Sequence, residues 1–335
     1  MKTIESFPRL RYMDINTSKI DTSENNLIQP LPSVVYIEPT NFCNFLCPFC
    51  PLGNQEKNTD SPNKMMDMKV YEKIILNLKE LVFKHDKKID KIQLYKYGEP
   101  LLHPDFSQMV KMAKEADIAH SIETTTNGSI ISPRLAEEIL EAGLDVIRIS
   151  VEHIEDDYYK GLSRGRMTYS TIKDKVRKLH SLKMKGDYDL HIHVKILGSL
   201  LSNEQIERFI TDYMDIADSW NVDAIMPAKD PINNDYIKLS KLEDSRIVCY
   251  DIFNKLNINY DGTISTCCVD WCYEIVVGDV NVETVEEIWN GKRFNDFRVK
   301  HLQGKRCEIE KCATCDYIGV LPNIDEKRES MLPFY

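Results

Sequence analysis

The sequence has no long hydrophobic run. No stretch of its 335 residues approaches the roughly 20 apolar residues of a membrane-spanning helix, which excludes a helical membrane span. The N-terminus, Met1-Lys-Thr-Ile-Glu-Ser, lacks the basic-then-apolar order of a secretory signal, so a cytoplasmic protein is expected. An excess of basic charge is also missing: 43 Lys and Arg against 53 Asp and Glu leave a net charge of −10. Phosphate binding needs clustered cations, and this balance argues against nucleic acid as the default partner. Finally, the long interval between Cys50 and Cys249 contains no cysteine.

What is present fits a soluble globular protein. Apolar residues make up 42% of the chain and charged ones 29%, ordinary values for a water-facing fold with a sizeable core. The ten cysteines fall into two groups, three near residue 45 and seven from Cys249 to Cys315. Cytosolic thiols are kept reduced, so clustered cysteines with short spacings read as metal or iron–sulfur ligands rather than disulfides. Cys43, Cys47 and Cys50 can hold three irons of a four-iron cluster. The fourth iron is then left without a protein ligand, whereas an electron-transfer cluster normally takes four cysteines. A zinc knuckle or simple buried thiols are the competing readings of these three.

Three segments are expected: an arm over 1–33, an alternating strand–helix domain over 34–235, and a cysteine-rich domain over 236–335. Strands are expected at Val34–Ile37, Lys91–Tyr95, His120–Thr126, Val146–Val151, Leu190–Leu197 and Val222–Met226, with helices between them. Ile74, Ile75, Leu78, Leu81 and Val82 share a face of the first helix. Ser202 and Gln205 have capping-box spacing ahead of a stripe of Ile206, Phe209, Ile210 and Met214. Such alternation implies parallel βαβ units and an open or closed barrel with its site at the C-terminal mouth; a doubly wound sheet is the alternative. Asp261-Gly262 marks a hairpin, and short helices are expected near 283–290 and 293–302. His153 and His193 read as hydrogen-bonded structural histidines.

The motifs together resemble the radical S-adenosylmethionine (SAM) enzymes with a SPASM or twitch C-terminal domain, over roughly residues 34–320. Those motifs are Cys43-x-x-x-Cys47-x-Phe49-Cys50, Tyr97-Gly98-Glu99-Pro100, the strand Ile147-Arg-Ile-Ser150 with Tyr159 and Arg164-Gly165, and Cys249, Cys267 and Cys312-x-x-Cys315. The resemblance implies a partial (β/α)6 barrel, SAM on the open iron of a [4Fe–4S] cluster held by Cys43, Cys47 and Cys50, and Phe49 beside it. Glu99, in the loop of Tyr97 and Gly98, would accept from the methionine ammonium. Ser150 and Arg164 would meet the carboxylate, and Asn127 the ribose hydroxyls, although Asn-Gly is also a good turn. Cys249, Cys267, Cys312 and Cys315 fit one auxiliary [4Fe–4S] cluster, with a four-thiolate structural zinc as the alternative. Cys268, Cys272 and Cys307 are surplus. Cys268 is a candidate hydrogen-atom donor by likeness to related epimerases, or else a small buried hydrophobe.

The resemblance implies reductive cleavage of SAM to a 5′-deoxyadenosyl radical that takes hydrogen from an unactivated C–H bond. A small polar, carbohydrate-like substrate, a sugar or aminocyclitol, is expected, with oxidation or epimerisation as outcome and a flavodoxin or ferredoxin-type electron donor. The arm of about 33 residues is short for a leader-peptide-binding domain. Modification of a peptide or protein is the second reading, and a zinc-stabilised binding protein without catalysis the third.

Overall fold

The computed structural model describes residues 27, 29–47, 50–52, 64–163, 167–198, 201–223, 246–315 and 317–335. Its centre is a nine-stranded sheet in the order β6-β5-β4-β3-β2-β1-β7-β8-β9. Strands β1 (Val34–Ile37), β2 (Ile89–Gln93), β3 (Ala119–Thr126), β4 (Val146–Val151), β5 (His191–Leu197) and β6 (Ser219–Asp223) run parallel. Helices connect them: α1 (Met68–His85), α2 (Phe106–Ala116), α3 (Pro133–Ala142), α4 (Asp156–Leu162), α5 (Tyr169–Gly186) and α6 (Asn203–Tyr213). This is the α/β open barrel expected from the alternation.

Period-two patterning decides which way the sheet faces. Ile92, Ile122, Ile147, Ile149, Ile192 and Val194 are buried on the helix side, against Ile74, Leu78, Met109, Ile139, Ile172 and Val176 of α1, α2, α3 and α5. Their neighbours Gln93, Glu123, Arg148 and His193 are polar and point the other way, into the concavity. Local chemistry bounds several of the helices. Asp67, Ser132, Thr168 and Ser202 cap the N-termini of α1, α3, α5 and α6, and Gly143 closes α3 in the left-handed conformation. The capping box of Ser202 and Gln205 is complete.

The structure departs from the sequence reading at several places. The second strand begins two residues early, at Ile89, and the sixth begins at Ser219; residues 224–226 lie outside the described residues. Met214 is 58% exposed, because α6 ends at Tyr213, which packs on Phe209 and Tyr169 instead. The hairpin strands β7 (Lys255–Ile258) and β8 (Thr263–Ser265) flank Asp261-Gly262 as expected, but β7 also runs parallel to β1, and β9 (Val276–Asp279) follows β8. One sheet therefore runs from the barrel strands into the cysteine-rich segment. Among the described residues, no helix is long and apolar enough to cross a membrane.

Candidate active site

The segments around the first cysteine group leave the C-terminal ends of parallel strands, where βαβ folds place their loops. β1 runs into Glu38, Thr40 and Cys43. The stem of this loop is zipped by Met66 N–H to Pro39 O (2.8 Å), Thr40 Oγ1–H to Lys64 O (2.7 Å) and Lys64 N–H to Asn41 Oδ1 (2.8 Å). Cys50 N–H donates to Cys47 O (3.0 Å) and Phe45 N–H to Cys43 Sγ (3.5 Å), folding the thiols toward one another. Phe49 lies outside the described residues.

The segment after β2 fits against that loop. Glu99 N–H donates to Phe42 O (2.8 Å), and a Cβ on Gly98 would stand 2.1 Å from Thr40 O, so only glycine allows the approach. The buried Glu99 carboxylate accepts from Thr126 Oγ1–H (2.6 Å), Asn127 N–H (2.7 Å) and Leu101 N–H (3.1 Å), donors from the end of β3 and its own turn. Asn127 Nδ2–H donates to Asn44 Oδ1 (2.9 Å) and lies 3.9 Å from Cys43 Sγ, while its Oδ1 accepts from Ser129 N–H and Oγ–H. Its side chain thus braces the cysteine loop.

Ser150 and Glu152 continue the inward register of β4. With Lys195, Leu197 and Asp223 from β5 and β6 they line an open cleft of about 110 Å³. Arg164 lies outside the described residues. Glu152 and Glu38 are functional candidates that motif reading missed. The period-two spacing Arg148-Ser150-Glu152 was the available signal for the first, and Glu38 directly follows a strand.

The electrostatics describe a cup waiting for positive charge. Burial pushes the Glu99 and Glu152 carboxyls up to about 7, and the charge of Glu99 adds to the rise in Glu152. Burial pushes the Cys43 thiol up to about 12 and raises Cys47 strongly, and in both cases the neighbouring thiols and carboxylates add to the rise. Three thiols and two carboxylates that repel one another when ionised suit a cationic cluster core and an ammonium-bearing ligand. The donor set therefore fits both groups. Among the described residues no three His, Cys, Asp or Glu side chains close a finished cage around an ion.

The second group assembles behind Tyr97. Cys249 feels the charges of Cys312 and Cys315, and Cys267 feels those of Cys249 and Cys268. Burial pushes the Cys312 thiol up to about 12. Cys268 is hydrogen-bonded to its neighbour Cys267 and also lies 3.9 Å from Asp251 Oδ2 and 4.0 Å from the Tyr317 hydroxyl, within reach of the Lys255 charge. The Tyr97 ring packs on Trp271 (4.7 Å) and Tyr273 (5.5 Å), so it links the Glu99 segment to the C-terminal cysteine loop. Cys272 and Cys307 are exposed.

Glu38 gives a pH signature. Burial pushes its carboxyl up to about 7, although it accepts from Tyr97 N–H, Tyr260 N–H and the Tyr273 hydroxyl. A carboxyl whose folded pKa exceeds its unfolded value of about 4.5 loses stability as pH rises from 4.5 to 7. His193 and His301, lowered by burial to about 4, gain stability from pH 4 to 6.5 and oppose this trend. Glu99 and Glu152, raised by burial in the same way, add to the loss, so wild-type metal-free protein should lose stability across this range. Glu38→Gln should gain on it progressively, by up to ~3 kcal/mol above pH 7. Urea midpoints measured anaerobically from pH 5 to 8 check this; parallel profiles would refute it.

Comparison with known proteins agrees with this geometry. The family model described as radical SAM superfamily matches residues 37–212, and one described as an iron–sulfur cluster-binding domain matches 249–316. A SAM-dependent 2-deoxy-scyllo-inosamine dehydrogenase from Niallia circulans is 20% identical over 289 residues, covering 86% of this chain and 94% of its own. The crystal structure of BtrN with AdoMet and 2-DOIA superposes with a TM-score of 0.55 at 19% identity, covering 85% of this chain and 93% of that one. SuiB from Streptococcus suis bound to SAM gives 0.61 at 14% identity, covering 87% and 72%. The chain belongs to the radical SAM superfamily and carries a C-terminal SPASM domain, which implies SAM and iron–sulfur clusters, an auxiliary one included.

Proposed function

We propose that this enzyme removes a hydrogen atom from a small polar substrate, a sugar or aminocyclitol, and either oxidises or epimerises a carbinol carbon. When bound, a [4Fe–4S] cluster on Cys43, Cys47 and Cys50 supplies the electron that cleaves SAM to methionine and a 5′-deoxyadenosyl radical. Glu99, held by three donors, presents its remaining lone pairs to the methionine ammonium. Ser150 and Arg164 meet the carboxylate, with Glu152 and Lys195 in the adjoining cleft. Asn127 and Gly98 keep the cysteine loop pressed to this site. Cys249, Cys267, Cys312 and Cys315 hold the auxiliary cluster.

The observation that carries the substrate class is the inner face of the sheet. Glu123, Gln93, Tyr36, Asn257 and Ser265 form one register row across β3, β2, β1, β7 and β8. Arg148 reaches into it, its Nη2–H donating to Glu123 Oε2 (2.6 Å). Gln93 Oε1, Arg148 Nη1 and both amide atoms of Asn257 are buried without a hydrogen-bond partner. Orphaned donors and acceptors in one band suit a ligand whose hydroxyls and amines offer both. The likeness to the aminocyclitol dehydrogenase supports the same class. An oxidation takes one hydrogen atom, one proton and one electron from the carbinol; an epimerisation returns a hydrogen atom from the opposite face.

The assay is anaerobic incubation of reconstituted enzyme with SAM, dithionite and C–H-deuterated 2-deoxy-scyllo-inosamine or related aminocyclitols and sugars. Deuterium in 5′-deoxyadenosine supports the reading. Transfer from peptides alone, or a colourless protein holding zinc and no iron, overturns it. Cys268→Ala separates the outcomes: an epimerase that uses this thiol loses solvent-derived deuterium in its product, whereas an oxidase is unaffected. Asn257→Leu should raise the stability of the unliganded protein by ~1 kcal/mol, because an unpaired amide leaves the core, and raise substrate KM about tenfold. Thermal melts and initial rates read both effects; lowered stability with unchanged KM would refute this role.

A further inference from the structure

Between the two cysteine groups stands a half-buried lysine that the proposed chemistry does not use. Lys96 follows β2 and directly precedes Tyr97. Its ammonium donates to Asn259 Oδ1 and lies 4.5 Å from the Tyr97 ring centroid and 5.0 Å from that of Tyr273. The charges it meets are Glu38, Asp270, Cys268 and Cys267. Glu38 is fully buried and is held by the Tyr273 hydroxyl at 2.9 and 3.0 Å. Three chain segments converge on this cation: the start of the first cysteine loop at Glu38, the strand end that carries Glu99, and the C-terminal loop from Cys267 to Tyr273.

A lysine in such a place pays heavily in lost hydration unless negative charge surrounds it. Glu38 supplies one such charge. The aromatic faces of Tyr97 and Tyr273 supply weaker attraction. The remaining anions are on the C-terminal side, where Cys267 belongs to the proposed ligand set. A thiolate-bound iron–sulfur cluster becomes more negative on reduction, and its potential follows nearby charge and hydrogen bonding.

We propose that Lys96 tunes the auxiliary cluster, its ammonium holding the cluster's reduction potential up while Glu38 holds it down. The inference rests on the reading of Cys249, Cys267, Cys312 and Cys315 as cluster ligands. Lys96 is a positioning and tuning residue, acting on the cluster through its charge. It also gives the Lys96–Glu99 segment two ends, one set against each cysteine group.

The test is a redox titration followed by electron paramagnetic resonance at pH 8. It uses the full chain carrying Cys43→Ala, Cys47→Ala and Cys50→Ala, so that the C-terminal cluster is observed alone. Adding Lys96→Met should lower the reduced-to-oxidised ratio at fixed potential about tenfold, a downward shift of about 59 mV for one electron. Lys96→Arg should restore most of it. Glu38→Gln should shift the potential upward, and this carries the test if Lys96→Met lowers iron content. Unmoved potentials in iron-replete variants, or shifts of the same sign for Lys96→Met and Glu38→Gln, overturn the role of Lys96 alone. A three-alanine protein with no iron overturns the cluster reading itself, and the tuning role with it.

Discussion

Replacing Cys43, Cys47 and Cys50 together by alanine is expected to take SAM cleavage below detection while leaving about half of the iron. Each [4Fe–4S] cluster contributes four irons, so the reconstituted content should fall from about eight to about four per chain. The two cysteine groups lie on separate segments, one after β1 and the other split between Cys249, ahead of β7, and the chain beyond β8, and the charges felt by Cys43 and Cys47 come from Cys50, Glu99 and Glu152, not from the C-terminal thiols. Loss of one set should therefore leave the other loaded. The fold should survive as well: burial keeps the Cys43 and Cys47 thiols protonated in metal-free protein, where they act as small apolar groups, so the change in stability should be ~1 kcal/mol. Iron and sulfide analysis with 5′-deoxyadenosine quantified by chromatography checks both halves. Residual cleavage would remove these cysteines from the SAM site, and loss of all iron would overturn the reading of the C-terminal cysteines as ligands of a second cluster.

The chemistry of this site was legible in the sequence to the extent that it sits in contiguous motifs. The cysteine loop and Tyr97-Gly98-Glu99 could be read because a strand, a loop and its ligand types are neighbours in the chain. The strands were readable from apolar runs such as Val146–Val151 and Leu190–Leu197, whose ends the structure moves by a residue or none. What escaped depends on pairing across long intervals. The parallel register of β7 with β1 joins residues more than two hundred positions apart, and no local pattern encodes it. It is this pairing that sets Asn257 beside Tyr36 and completes the polar row. Glu38 and Lys96 escaped for the same reason, since each is an unremarkable charged residue until Tyr273 and Asn259 are folded against it. Met214 shows the converse: periodicity assigned it to the buried stripe, but the helix ended one residue earlier.

Gly98→Ala is expected to be nearly as damaging as the loss of the cysteines, although it adds a single methyl group. The new Cβ would lie 2.1 Å from Thr40 O and 2.7 Å from Phe42 O, well inside contact distance. Both obstacles are backbone carbonyls, so no side-chain rotation relieves them. The Lys96–Glu99 segment must instead draw away from the loop, which stretches the bond from Glu99 N–H to Phe42 O and unseats Tyr97 N–H from Glu38. The cost should lie at the upper end of overpacking, about 3 kcal/mol, a large share of a typical domain's stability. Because the strain falls between Glu99 and the entry to the cysteine loop, the first cluster and SAM affinity should suffer before the C-terminal cluster does. Gly161→Ala is the matched control: a Cβ there meets nothing within 4 Å, and its place in α4 should make alanine neutral or stabilising by up to ~1 kcal/mol. The expected pattern is a lowered melting temperature, iron reduced toward about four per chain and weakened SAM binding in Gly98→Ala, with all three near wild type in Gly161→Ala. Wild-type iron and SAM affinity in Gly98→Ala would mean that the cysteine loop can stand away from Glu99 without harm, and the close approach of these two segments would lose its place in the mechanism.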